Sequence, residues 1–188
     1  MSKSKGNVIR LLSGGYFDFN NMNYESFTLA DIAGSLSKLC RFGGHIPYFY
    51  SVAEHSLLCS VEAKNLGCSE AVQFACLMHD ATEAFIGDCV TPLKAMIPDF
   101  KALENTIQNL ISAKFNIDFY DPIIDQIDKE MLIAERDLFF VHDGIPWEGE
   151  DKIRKIYPDI RGMLPEIAEA NFFTLARGLY EHLKTKDS

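Results

Sequence analysis

The sequence predicts an all-α domain carrying one small β-hairpin near its N-terminus. Three observations lead there: polar cap residues stand where several apolar runs begin, Gly and Pro breakers separate the runs, and only one short segment alternates like paired strands. That segment is Val8 to Phe19, with Ser13-Gly14-Gly15 as its turn. Thr28, with Asp31 three residues on, caps a helix reaching about Leu39. Gly43-Gly44 and Pro47 mark 41–47 as a loop. A helix from about Ser51 to Leu66 follows. Ser69 caps the next, which runs through Ala75 and Met78 to Asp80 and beyond, until Gly87 ends it. That run is apolar nearly all round, which places it centrally in the core. Thr91-Pro92 opens another short helix, since Pro suits a first helical turn. Further helices are predicted at 98–115, 122–142 and 165–184, with Pro122, Gly144-Ile145-Pro146 and Pro158 as breakers. Phe139, Phe140, His142 and Trp147 read as core or loop side chains.

The chain has 188 residues, 47% hydrophobic and 12% aromatic, which suits one domain with a real core and argues against disorder. No apolar stretch approaches the length of a membrane span, so no membrane partner is expected. The basic start, Met1-Ser2-Lys3-Ser4-Lys5-Gly6, lacks the apolar centre of a signal peptide, and a cytoplasmic protein is expected. The five cysteines, Cys40, Cys59, Cys68, Cys76 and Cys89, form no C-x-x-C pair. A disulfide framework or zinc ribbon is therefore disfavoured, and most of them read as small apolar packing groups. The net charge of −9 shows no basic stripe, which disfavours a nucleic-acid polymer as partner. It also opposes anionic substrates at long range, so a phosphate compound would need local cations.

The chemistry concentrates in Cys76-Leu77-Met78-His79-Asp80-Ala81-Thr82-Glu83. An apolar run delivers an imidazole and two carboxylates, groups that a core tolerates only if they are paired or bind an ion. A metal site would account for all three. On a continuous helix, Glu83 would lie on the face of His79 one turn away, within reach of water or substrate. His55, in Val52-Ala53-Glu54-His55-Ser56, is either a satisfied core histidine or a ligand. Asp137 is either the ion-pair partner of Arg136 or a ligand.

Taken together, His55, His79-Asp80 and Asp137 form an H…HD…D series, and the chain resembles the HD-domain phosphohydrolases, in particular their bacterial 5′-deoxynucleotidase-like branch. The resemblance is carried by Glu54-His55-Ser56, His79-Asp80-Ala81-Thr82-Glu83, Gly87-Asp88, Thr91-Pro92-Leu93-Lys94 and the segment Leu39-Cys40-Arg41-Phe42-Gly43-Gly44-His45. It covers about residues 28–141 and is nearest to prophage and phage members. It implies a single-domain helical bundle in which His55, His79, Asp80 and Asp137 bind one divalent ion. Two imidazoles with two carboxylates suit Mn, Co, Ni, Fe or Zn better than Ca or Mg. A zinc protease, a P-loop enzyme and a serine hydrolase are disfavoured, because their motifs are missing from the sequence.

In this resemblance Glu83 is the general acid or base and Asp88 lies near the sugar 3′-hydroxyl and the reacting water, although Asp88 also reads as a turn cap after Gly87. Arg41 and Lys94 match phosphate-contacting positions, with a surface lysine as the alternative for Lys94. The pattern departs from the family around the loop. Phe42 stands where a Trp is usual, the stretch to His55 is one residue shorter, and His45 is extra. Phe42 is a candidate for stacking on a base, and His45 for contacting phosphate or base or capping the loop. The expected activity is 5′-deoxynucleotidase. The alternatives are a deoxynucleoside triphosphohydrolase, such as a phage dATP-cleaving enzyme, and a non-catalytic nucleotide-binding module. Alarmone hydrolysis has only the HD pair in its favour. A small nucleotide is the expected partner, and a homodimer follows from the resemblance alone.

Overall fold

Two short strands, Val8–Arg10 (β1) and Tyr16–Asp18 (β2), pair antiparallel with Ile9 opposite Phe17 and start an otherwise helical structure. The computed structural model describes residues 6–141, 143–147 and 149–186; Met1 to Lys5 and His142 lie outside them. The helices in chain order are α1 (Leu29–Leu36), α2 (Val52–Asn65), α3 (Glu70–Met78), α4 (Glu83–Ile86), α5 (Thr91–Lys94), α6 (Phe100–Phe115), α7 (Pro122–Phe139) and α8 (Pro165–Lys186). The all-α expectation with a small hairpin therefore holds. None of the helices among the described residues is long and apolar enough to cross a membrane.

Side-chain caps start α1, α2, α3 and α7. Thr28 and Asp31 form a reciprocal capping box on α1, with the Thr28 hydroxyl accepting from the Asp31 N–H and Asp31 accepting from the Thr28 N–H. Ser51 caps α2 by accepting from the Glu54 N–H, and Ser69 caps α3 by accepting from the Val72 N–H. The first helix stops at Leu36, three residues short of the expected end, because the chain must extend to bridge Cys40 to Ser51. That bridge closes the Arg41 loop, a 3-10 turn with Phe42 and Gly43 in the left-handed region.

A second difference matters for function. The helix through His79 is not continuous. It ends at Met78, and tight i→i+3 bonds follow, from Ala81 N to Met78 O and from Glu83 N to Asp80 O. The last helical carbonyls lack helical partners, and the His79 Nδ1–H takes one of them, Cys76 O, at 2.7 Å. His79 and Asp80 thus sit on a turn, and Glu83 begins a separate short helix.

Helix α2 runs through the middle, packed on α3, α7 and α8. The C-terminal half of α3, from Phe74 to Met78, is buried, as its apolar composition predicted. Phe17 stacks on Phe85 at 4.4 Å with Phe27 5.0 Å from Phe85, so the hairpin braces α4. Ser35 adds a hydroxyl bond to Ala84 O at 3.0 Å. Glu54, wholly buried, accepts the backbone N–H groups of Arg161, Gly162 and Met163 at 2.8, 3.0 and 2.6 Å. This carboxylate ties the segment leading into α8 to the helix that carries His55. Gly162 suits the place: its φ is +64°, and a Cβ there would come within 2.8 Å of the Tyr48 ring.

Candidate metal centre

Two imidazoles meet between α2 and the end of α3. His55 Nε2 and His79 Nε2 lie 3.2 Å apart. The tautomer of His79 is fixed, because a carbonyl only accepts and its Nδ1 must carry the proton. His55 turns its Nδ1 to the Glu135 carboxylate at 2.6 Å. Both Nε2 atoms therefore face each other with lone pairs when the rings are neutral, and with N–H groups when charged. Both arrangements are unfavourable, and one proton shared between the two nitrogens or a cation between them relieves them. His55, Cys59 and His79 form a group that can hold a metal ion, with Cys59 Sγ 3.5 Å from His55 Nε2. The reading of the cysteines as packing groups must be amended at Cys59, one helical turn after His55.

Carboxylates come as close. Asp80 Oδ2 is 3.6 Å from His55 Nε2 and 3.3 Å from His79 Nε2. Asp128 Oδ1 is 3.1 and 3.5 Å from the same two atoms. Donors at about 2.1 Å from one ion stand about 3.0 Å apart at right angles and about 3.4 Å apart at the tetrahedral angle. The separations of each carboxylate from the two imidazoles, 3.1–3.6 Å, are close to that range. The charges agree. Burial would lower the His79 pKa, but Asp80 and Asp128 outweigh it and push it up to about 10. Desolvation would raise the Asp128 pKa, yet its bonds to His55 and His79 hold it well below the carboxylate range. The site thus strongly attracts positive charge.

Asp137 is not part of this group, which corrects the expected ligand set. It lies nine residues beyond Asp128 on α7, and at about 100° per residue that is about 180°, the opposite side of the helix. Its Oδ1 accepts from Arg136 Nε at 3.0 Å and Nη2 at 2.5 Å, and its side chain is 42% exposed. The ion-pair reading of Asp137 is the one that the structure shows.

Glu83 is almost completely buried, and its Oε2 has no hydrogen-bond partner. Burial, then the charges of Asp80 and Asp88, raise its pKa well above the usual value. Lys94 lies 3.7 Å from Glu83 Oε1 and donates to Glu104 at 2.9 Å. Asp88 is half-buried, and burial raises its pKa also. Arg41 is buried; its Nε and Nη2 donate to Glu135 Oε2 at 3.1 and 2.9 Å, and its Nη1 lies 3.5 Å from Asp80. The Arg41 guanidinium also lies 5.5 Å from the centroid of the Phe42 ring, which packs edge-on against Phe139 and Phe140. His45 is exposed on the loop. A cleft of about 500 Å³ opens beside the centre, lined by His79, Asp80, Lys94, Lys101, Glu104 and Asp128 among others.

No known family profile matches the chain. It is 38% identical over 143 residues to the uncharacterized protein YfdR of Escherichia coli K12, an alignment covering 74% of this chain and 76% of the relative. The chain belongs to the YfdR family. An uncharacterized protein of Rhodobacter capsulatus is 34% identical over 113 residues, 57% of this chain and 58% of the relative.

Two residues of this YfdR-family chain were not singled out from sequence: Asp128 and Glu135. Ile124, Asp128, Met131 and Glu135 follow one another at helical spacing on the inner side of α7, where two apolar residues mark the stripe and two acids interrupt it. An acid on the buried stripe of an amphipathic helix was the available signal.

Proposed function

We propose that this chain is an HD-domain, metal-dependent phosphohydrolase of deoxynucleotides working in the cytoplasm. The reading rests on one observation: the carboxylates of Asp80 and Asp128 each lie 3.1–3.6 Å from the Nε2 atoms of both His55 and His79, and Glu83 of the same segment is a buried carboxyl with an unpartnered oxygen. His55, His79, Asp80 and Asp128 would hold one divalent ion, and Cys59 stands next to it as a softer donor. Borderline transition metals fit that donor set. When bound, such an ion would supply Lewis acidity to a phosphoryl oxygen and acidity to water.

The remaining work belongs to the protein. Lys94, on the cleft wall, and the Nη1 end of Arg41 offer positive charge to phosphate oxygens. Glu83, whose surroundings favour its protonated form, can give its proton to the oxygen that leaves as the P–O bond breaks. Asp88 accepts a hydrogen bond from a sugar hydroxyl or from the attacking water. A cleft of about 500 Å³ is in the range of small-molecule sites.

The simplest version is a 5′-deoxynucleotidase that releases phosphate from a deoxynucleoside monophosphate. One observation favours a triphosphate instead: Lys101 lines the same cleft as Lys94 and adds a second cation. Incubation of purified protein with dNMP and dNTP panels and Mn, Co or Zn decides between them by the release of phosphate or tripolyphosphate. If dAMP and dATP both stay intact while another phosphate ester is cleaved, the deoxynucleotide assignment fails.

A further inference from the structure

We infer that Glu135 is a positioning residue that joins Arg41 to the candidate metal centre, orienting His55 while keeping the Nε edge of Arg41 off Asp80. This rests on the reading that the centre binds a divalent cation. Glu135 has no exposed surface, and both of its oxygens are doubly used. Oε1 takes the Tyr50 hydroxyl at 2.7 Å and the His55 Nδ1–H at 2.6 Å. Oε2 takes Arg41 Nε at 3.1 Å and Nη2 at 2.9 Å. Four donors fill a carboxylate's acceptor sites.

The consequence lies in what Arg41 would otherwise do. Its Nη1 is 3.5 Å from Asp80 Oδ2, a longer and weaker contact than either bond to Glu135. That same Asp80 oxygen faces both imidazoles, at 3.3 and 3.6 Å. Arg41 and a cation therefore compete for one oxygen. The Glu135 charge decides the contest by neutralising the guanidinium and turning its Nε edge away. An amide at this position has nearly the same shape but only one acceptor oxygen. It can serve His55 and Tyr50 or it can serve Arg41, and in either case it sets an NH₂ group against a donor.

Mn(II) binding to the full chain, measured by titration calorimetry, tests this on four proteins: wild type, Glu135→Gln, Arg41→Met and the double variant, each checked by thermal melting. Glu135→Gln should weaken Mn(II) binding roughly 10–100-fold, the usual cost of losing a partner behind a ligand. The double variant should bind Mn(II) at least about tenfold more tightly than Glu135→Gln, because the unneutralised guanidinium is gone. A merely structural glutamate would give no such rescue. Unchanged binding by Glu135→Gln, or a double variant no tighter than the single one, overturns the inference. If Glu135→Gln does not fold, Arg41→Met decides alone: its affinity should rise about threefold or more, and an unchanged or weaker affinity overturns the inference. A wild-type chain that binds no Mn(II) removes the metal reading itself, and this inference with it.

Discussion

Asp128 and Asp137 ride the same helix with similar exposure, 37% and 42%, and differ in the partners that their face of the helix gives them. Asp128 lies 3.1 Å from one imidazole and 3.5 Å from another, at the floor of a cleft. Asp137, about half a turn out of phase, pairs with Arg136 on the outer side, where Glu150 takes the same guanidinium at 2.5 and 2.7 Å. The inner side of α7 sets Asp128 and Glu135 against two histidines, and the outer side pairs Asp137 with Arg136. An aspartate acquires its role from the helical face it occupies, and an ordered H…HD…D pattern does not specify that face.

The largest effect expected from this contrast is on metal binding. Asp128→Asn should reduce Mn(II) affinity by more than the roughly 10–100-fold that losing an outer partner costs, and abolish turnover with it. Asp137→Asn should change neither by more than about twofold. Calorimetry and phosphate release on the two variants check the contrast, and the opposite ranking would return the ligand role to Asp137.

Glu83→Gln should come next. Loss of a positioned proton donor typically costs about 10²–10⁴ in rate. The amide retains the size of the side chain and removes the transferable proton, so Mn(II) affinity should stay near wild type while turnover falls. Turnover within about twofold of wild type would remove Glu83 from the chemistry.

How much of this was legible follows from the physics of each signal. Caps and breakers act within a few residues, so Thr28, Ser51, Ser69 and Pro122 mark helix starts correctly. His55, His79 and Asp80 stood out as polar groups in apolar runs, and the structure brings them together. Asp128 did not stand out. Its neighbours Lys129 and Glu130 make the stretch look like a solvated helix surface, and Glu130 is in fact buried against Arg154. The break after Met78 was also hidden, because no Gly or Pro marks it. It coincides with the His79 side chain bonding back to Cys76 O, a local side-chain-to-backbone contact that helix propensity does not record.

A pH experiment sharpens the contrast by charge. Burial would lower the His79 pKa, but its acidic neighbours raise it to about 10 in the metal-free fold, against about 6.5 in the unfolded chain. A raised pKa stabilises the fold fully below about pH 6.5, and that contribution fades as pH rises through about 10. Asp128 is depressed, so its contribution is present above about pH 4 and is lost as the pH falls below that. A cation needs the bare Nε2 atoms and must displace the protons. The rise in Tm on adding Mn(II) should therefore be larger near pH 8 than near pH 6. Melting curves with and without Mn(II) at the two pH values test the sign, and a larger gain near pH 6 would contradict it. In Asp128→Asn the pH difference should shrink; in Asp137→Asn it should persist.

The smallest effect belongs to the outer face and is as informative as the largest. The Arg136–Asp137 pair has one side chain 42% exposed, and exposed ion pairs contribute about 0–1 kcal/mol. Arg136 keeps both of its bonds to Glu150 when Asp137 is removed, and its guanidinium still lies 5.4 Å from the centroid of the Trp147 ring. Asp137→Ala should therefore lower stability by no more than about 1 kcal/mol in urea unfolding, with an unchanged m-value and unchanged Mn(II) affinity. A loss several times larger, appearing only when Mn(II) is present, would mean that the outer aspartate reaches the metal after all and that the two faces of α7 are not separate in function.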